Sequence, residues 1–240
     1  MQHGKSSGYT ATVSADRSET GFALRTALMA TCVTLVSYLS SMSAGAADIS
    51  IKVIDREGRG VDQVVVTVTP LTNSASLVPK PAVMDQQNLA FVPRVLVVGT
   101  GARVEFPNND SVSHQVYSFS AAKRFQLPLY KGEVHPPVVF DRPGLVVLGC
   151  NIHDSMVGYI YVTDAPYFGT TAAEGALELK NIPLGDYRIV LWSPFIADPP
   201  ASLTRTVHLD GIAPAVAHVQ LSSALRVQPE PRPHRRDWEY

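Results

Sequence analysis

Between Asp48 and Leu221 no window of a dozen residues repeats with a helical period, whereas short apolar runs alternate at period two. Ile49, Ile51 and Val53 form one such run, and Val64, Val66 and Val68 another. Each puts one face of an extended strand against apolar surface. Turn formers punctuate the runs at Asp55–Gly60, Gly99–Gly101, Pro107–Asp110 and Pro143-Gly144. Further strands are predicted near 89–98, 102–106, 114–120, 137–140, 145–149 and 158–163, then near 176–180, 186–193, 204–209 and 216–221. Short strands separated by turns about every 8–12 residues make β-sandwiches. The fold class is all-β.

The charge balance narrows the partners. With 20 Lys+Arg against 21 Asp+Glu and no basic block, nucleic acid is not the main partner. An apolar fraction of 45% excludes global disorder, and 240 residues leave room for one or two domains. The chain ends in RVQPEPRPHRRDWEY, residues 226–240, a polar Pro- and Arg-rich stretch expected to be a disordered tail.

Ala27–Leu39 is the one apolar run outside the strand pattern. It is preceded by Arg25, followed by small residues, and shorter than the roughly 20 residues a membrane span needs. With Gly45 and Ala47 at the −3 and −1 positions, residues 1–47 read as a signal peptide. The mature chain is then periplasmic or otherwise exported and soluble, with no membrane span after signal removal. Cleavage removes Cys32 and leaves Cys150 as the single thiol. In an oxidising compartment a lone thiol needs burial or a metal.

The sequence around that thiol supplies the metal reading. Cys150-Asn151-Ile152-His153-Asp154-Ser155-Met156 is C-x2-H-x2-M on a short loop between the strand Leu145–Leu148 and Gly158–Val162. His114 ends the strand and polar loop Val104–Ser113 and precedes Cys150 by 36 positions (150 − 114), enough for two intervening strands to bring it back beside the loop. Two imidazoles, a thiolate and a weak axial thioether are the ligand set of an electron-transfer copper site. Zinc accepts Cys and His, but a thioether is a poor zinc ligand. Taken singly, a cysteine ending an apolar strand is usually core, and His153 and Met156 are ordinary loop residues. Their joint spacing favours one copper ion held by His114, Cys150, His153 and Met156. No paired carboxylates or activated nucleophile mark Asp110 or Asp154 as hydrolytic.

Residues 88–163 resemble a cupredoxin, and the contracted C-x2-H-x2-M loop is similar to that of amicyanins. Phe91-Val-Pro93, Gly101–Phe106 and Phe140-Asp-Arg-Pro143-Gly144 fit the same likeness. Many cupredoxins carry Asn after the first histidine as a brace to the cysteine loop. Here Gln115 stands there, so the brace falls to Gln115, Asn108 or Asn109. Val53–Gly58, Val64–Val68 and Asn181-Ile-Pro-Leu-Gly-Asp-Tyr187 resemble a carboxypeptidase regulatory-like (transthyretin-like) β-sandwich. The expected organisation is a cupredoxin Greek-key β-sandwich, 80–163, inserted in or joined to a second, regulatory-like sandwich made of 48–72 and 165–223. The combination is similar to exported "methylamine utilization" cupredoxin proteins. The resemblance implies single-electron transfer with a redox protein partner, a cytochrome or an amine dehydrogenase, and no enzymatic activity of its own.

Two rivals use the same residues differently. A copper chaperone or store would hold the ion without redox turnover, and a metal-free adhesion or carbohydrate-binding sandwich would not hold it at all. His135, before Pro136-Pro137, reads as an exposed loop residue, and His208 and His218 as surface positions on strands. Tyr117, Phe119, Tyr159 and Tyr161 read as sandwich packing.

Overall fold

Every long element among the described residues is a strand. The computed structural model describes residues 45–72, 76–132 and 135–226. The signal-peptide reading lies outside the described residues up to position 44, as does 227–240 of the tail, while Ala46 and Ala47, at the end of that reading, pair as strand with Pro183 and Ile182. Among the described residues no helix is long and apolar enough to cross a membrane.

In chain order the strands are β1 (Ala46–Ile54), β2 (Val65–Pro70), β3 (Ala82–Val83), β4 (Asp85–Gln87), β5 (Ala90–Val92) and β6 (Val95–Gly99). There follow β7 (Ala102–Glu105), β8 (Tyr117–Phe119), β9 (Arg124–Gln126), β10 (Val138–Phe140), β11 (Gly144–Gly149) and β12 (Val157–Thr163). The last are β13 (Tyr167–Thr170), β14 (Ala176–Pro183), β15 (Gly185–Trp192), β16 (Thr204–Leu209) and β17 (Ala215–Gln220).

β1 lies between antiparallel β14 and parallel β17, with Ile51 opposite Leu177 and Ala217. β2 lies between β13 and β15, both antiparallel, and β16 extends that sheet. Ile49, Ile51, Val53, Val64, Val66, Val68, Ile189 and Val219 meet in one core. The alternation seen in the sequence is thus the inward face of each strand. Fully burying each such side chain contributes about 1.5–3 kcal/mol.

The strands from β3 to β12 pair among themselves. One sheet runs β6-β12-β11-β8-β9, a second β10-β7-β3, and β4-β5 form a hairpin. Their shared core includes Phe91, Val104, Phe106, Phe140, Val146, Leu148, Ile160, and also Cys150 and Met156. A third, smaller cluster joins the two cores. Val65 and Phe195 from one side meet Val95, Tyr159 and Tyr161 from the other, with Trp192 packed against them. This explains why Val65 stands between Val64 and Val66, since the even positions face one core and Val65 the junction.

Several predicted elements need correction. Residues 70–86, rich in Pro, Ser and Asn and read from the sequence as a linker, contain β3 and the start of β4, so pairing begins at Ala82. The predicted strand 89–98 is broken at Pro93-Arg94, and its halves join different sheets. The strand expected over 114–120 is only Tyr117–Phe119. β9 and β13 escaped the sequence reading: each is short, and β9 offers Phe125 alone as an apolar residue. β14 runs through Asn181–Pro183, so the turn there is confined to Leu184. Phe119 is 71% exposed rather than packed. His208 and His218 are exposed.

Gly175 closes the turn before β14 at φ +72°, and a Cβ there would lie 2.1 Å from the Val53 carbonyl oxygen. Its own carbonyl accepts the Val53 N–H at 2.8 Å. Gly175→Ala must therefore pay a left-handed backbone and shift β1. The expected cost is at least about 1–3 kcal/mol, read as a lower urea midpoint. An unchanged midpoint would show that the turn relaxes freely.

Candidate metal centre

The loop that carries the thiol is fixed by what enters and leaves it. β11 buries Val146 and Leu148, ends at Gly149, and hands the chain to Cys150. The Met156 N–H donates to the His153 carbonyl at 2.9 Å and the Val157 N–H to that of Ser155 at 3.1 Å, so the loop closes tightly before β12. β8 reaches the same place by pairing Tyr117 with Gly149. A Cβ on Gly149 would lie 2.7 Å from the Tyr117 ring, so glycine leaves room for that ring beside β11.

His114 is held from the other side. Its N–H and carbonyl both pair with Tyr130 at 3.0 Å. Tyr130 is itself buried, donating its hydroxyl to the Phe106 carbonyl at 2.6 Å and accepting from Gln86 Nε2 at 2.5 Å. Burial pushes its pKa up to about 12, so it remains a donor. Asn108 Nδ2 donates to the carbonyls of Val112 and Tyr130 at 3.0 and 2.8 Å, bracing the loop that leads to His114.

These scaffolds bring three of the four sequence candidates together. His114 Nδ1 and His153 Nδ1 are 3.0 Å apart, and Cys150 Sγ lies 3.9 Å from the first and 3.6 Å from the second. His114 is fully buried and Cys150 3% exposed, while His153 is half-buried. Met156 is 1% exposed in the same apolar cluster as Cys150. The brace to the cysteine comes from the backbone of Gln115, whose N–H points at Cys150 Sγ at 3.5 Å. His135 stays outside the centre, half-buried with its ring edge-on to Tyr130 at 4.4 Å.

The sequence reading weighed Asp110 only as a hydrolytic carboxylate and gave it no part in the centre. Its Oδ2 sits 2.9 Å from His114 Nε2. Burial raises its pKa, but hydrogen bonds from the Leu89 N–H, His114 and the Ser111 N–H outweigh this and hold it at about 2. The carboxylate is ionised at neutral pH, so the proton of a neutral His114 belongs on Nε2. That leaves the Nδ1 lone pair aimed at the cluster. Carboxylates orient metal-binding histidines in this way, fixing tautomer and ring angle. The spacing of Asp110 four residues before His114 was the available signal.

The donor set fits a metal ion. Each of the three separations is shorter than the sum of two bonds of about 2.0–2.3 Å, the usual lengths to imidazole nitrogen and thiolate sulfur. Asp110→Asn removes the charge that fixes the His114 tautomer. It is expected to weaken metal affinity about 10- to 100-fold, measured by competition with a chelator. An unchanged affinity would mean that His114 is oriented by its backbone pair with Tyr130 alone.

No family model and no curated protein matches the chain. Among solved structures it is similar to the Cu-containing nitrite reductase of Thermus scotoductus SA-01, at 29% identity over 40% of this chain and 25% of that one, TM-score 0.33. It is also similar to a purple cupredoxin from Nitrosopumilus maritimus, at 25% identity over 34% and 96%, TM-score 0.30. A mutant amicyanin in its reduced state matches at 20% identity over 40% and 99%, TM-score 0.31. The chain thus spans a quarter of the nitrite reductase it matches. The case for a metal rests on the chain's own residues, an all-β sandwich closing two histidines and a cysteine at one end.

Proposed function

We propose that this chain binds one copper ion through His114, Cys150 and His153, with Met156 as a weak fourth donor, and carries single electrons. One observation carries the reading. Two imidazole Nδ1 atoms and a thiol lie within 3.9 Å of one another. Bound copper supplies the Cu(I)/Cu(II) couple. The protein supplies a soft thiolate that favours Cu(I) and imidazoles acceptable to both states. Strand pairing on both sides of Cys150 and the Tyr130 pair on His114 limit how far the donors move between states. Four protein donors leave no open position for a substrate, which supports a carrier rather than a catalyst. Electrons would pass to and from a redox protein, a cytochrome or an amine dehydrogenase.

The same proposal includes export by residues 1–47 and insertion of 80–163 into a regulatory-like sandwich of 48–72 and 165–223. The support for the insertion is that all the strand partners of β1 and β2 lie at or beyond Tyr167. Adding Cu(II) to the purified chain should produce intense visible absorption that ascorbate bleaches and ferricyanide restores. A colourless copper complex would support a chaperone or store, and no copper uptake would end the metal reading. If Met156 is the fourth donor, Met156→Gln should retain copper and lower the reduction potential, because oxygen favours Cu(II) more than thioether does. An unchanged potential would place Met156 outside the coordination sphere.

A further inference from the structure

The seam between the two cores opens into a cleft. Its volume is about 600 Å³, and its walls come from both sides of the junction. Leu145, Tyr159 and Tyr161 project from β11 and β12, the strands that flank the cysteine loop. Trp192 and Ile196 face them from β15 and the segment after it. That size falls in the range of small-molecule sites, roughly 300–1,000 Å³, and such sites favour junctions of this kind.

The aromatic groups are arranged as a platform. The Tyr161 and Trp192 ring centroids are 5.2 Å apart at 37°, and Tyr159 meets Trp192 at 6.3 Å and 64°. All three are half-buried, so each ring is only partly covered by its neighbours. The first pair is tilted and the second edge-to-face, and the exposed ring faces can take a further planar ring in offset or edge-to-face contact.

The polar groups decide the ligand's charge. Asp198 lies in the cleft wall, but its carboxylate already accepts from the Ser222 N–H and hydroxyl at 2.7 Å each and from the Ser223 N–H at 2.9 Å. It is built into the wall and not offered to a cation. Arg226 differs. Its backbone N–H is pinned to the Phe195 carbonyl at 2.7 Å, holding the residue at the cleft. Its guanidinium makes no ion pair among the described residues. A guanidinium presents a planar fork suited to a carboxylate. A sugar would need several polar partners, whereas the cleft is mainly apolar and aromatic.

We propose that this cleft binds a small planar aromatic acid, its ring against Tyr161 and Trp192 and its carboxylate on Arg226. The site is independent of the copper reading, since none of its residues is a candidate ligand.

The test is calorimetric titration of the full chain with 2-naphthoate, with 2-naphthylmethylammonium of similar size and opposite charge, and with cyclohexanecarboxylate. Saturable binding of 2-naphthoate is expected, with the ammonium and the non-planar acid each at least tenfold weaker. Arg226→Gln, at an exposed position, should weaken 2-naphthoate about tenfold and abolish the preference over the ammonium. Leu145→Trp, which fills the cleft from a partly exposed position, should remove binding of all three. The proposal is overturned by absence of saturable 2-naphthoate binding, by equal binding of the cation or the non-planar acid, or by an unaltered affinity in either variant. A visible spectrum recorded on the same copper-treated samples reports the metal centre separately, so failure of one reading is distinguishable from failure of the other.

Discussion

Cys150→Ser should yield a folded protein that never develops the intense visible absorption expected of the copper-loaded chain. Serine is nearly isosteric with cysteine, and the position is 3% exposed at the mouth of a well-packed core, so the loop should close as before. The Gln115 N–H that points at Sγ would find an oxygen acceptor instead. What disappears is the thiolate, the group whose bond to Cu(II) gives the absorption and whose softness stabilises Cu(I). Two imidazoles remain, one of them still hydrogen-bonded to Asp110, so weak Cu(II) uptake with only faint visible absorption is the expected residue of the site. The loss of the band should be complete, and reversible reduction should vanish with it. A serine variant that remained coloured and redox-active would remove Cys150 from the centre, whatever the fate of the histidines.

The strands were legible where burial is one-sided. Ile49, Ile51 and Val53 alternate because one face of β1 meets a core and the other does not. The same rule marks Val146 and Leu148 on β11. It fails for β9, which is three residues long with a single inward-facing aromatic, and for β3 and β4, hidden in a stretch whose Pro and Ser content reads as linker. Cys150 and His153 were legible because loop spacing is local. Asp110 and Tyr130 were not, because their importance comes from what they touch. Asp110 looks like one more turn former in an Asn-Asn-Asp cluster until its carboxylate is seen on His114. Tyr130 matters through two backbone bonds to His114 that no one-dimensional pattern encodes. The junction was half legible: Tyr159 and Tyr161 were expected to pack, but their partners Trp192 and Phe195 lie on a different sheet or beyond it.

Phe140→Ala should cost the metal-free protein about 3–5 kcal/mol, the usual range for removing a fully buried phenylalanine. Against a typical total of about 5–15 kcal/mol, that is a large fraction of the stability. Phe140 is fully buried on β10, opposite Ala102 of β7, and its carbonyl accepts the Gly101 N–H at 2.7 Å. Its ring sits 6.5 Å from that of Phe106 and 6.0 Å from that of Phe125, which are 5.5 Å from each other. Truncation therefore leaves a cavity beside the rings of Phe106 and Phe125. The neighbouring Val139 is 37% exposed on the opposite face of the same strand, so Val139→Ala should cost no more than about 1 kcal/mol. Urea denaturation of both variants, metal-free, makes the comparison. Copper should then raise both midpoints by mass action, adding about 2.7 kcal/mol when the free ion is at 100 times its dissociation constant, because only the folded chain holds the three donors together. A Phe140→Ala loss no greater than that of Val139→Ala would show that the aromatic cluster reorganises without cost. A copper effect equal in wild type and in Cys150→Ser would show that the ion binds away from the thiol.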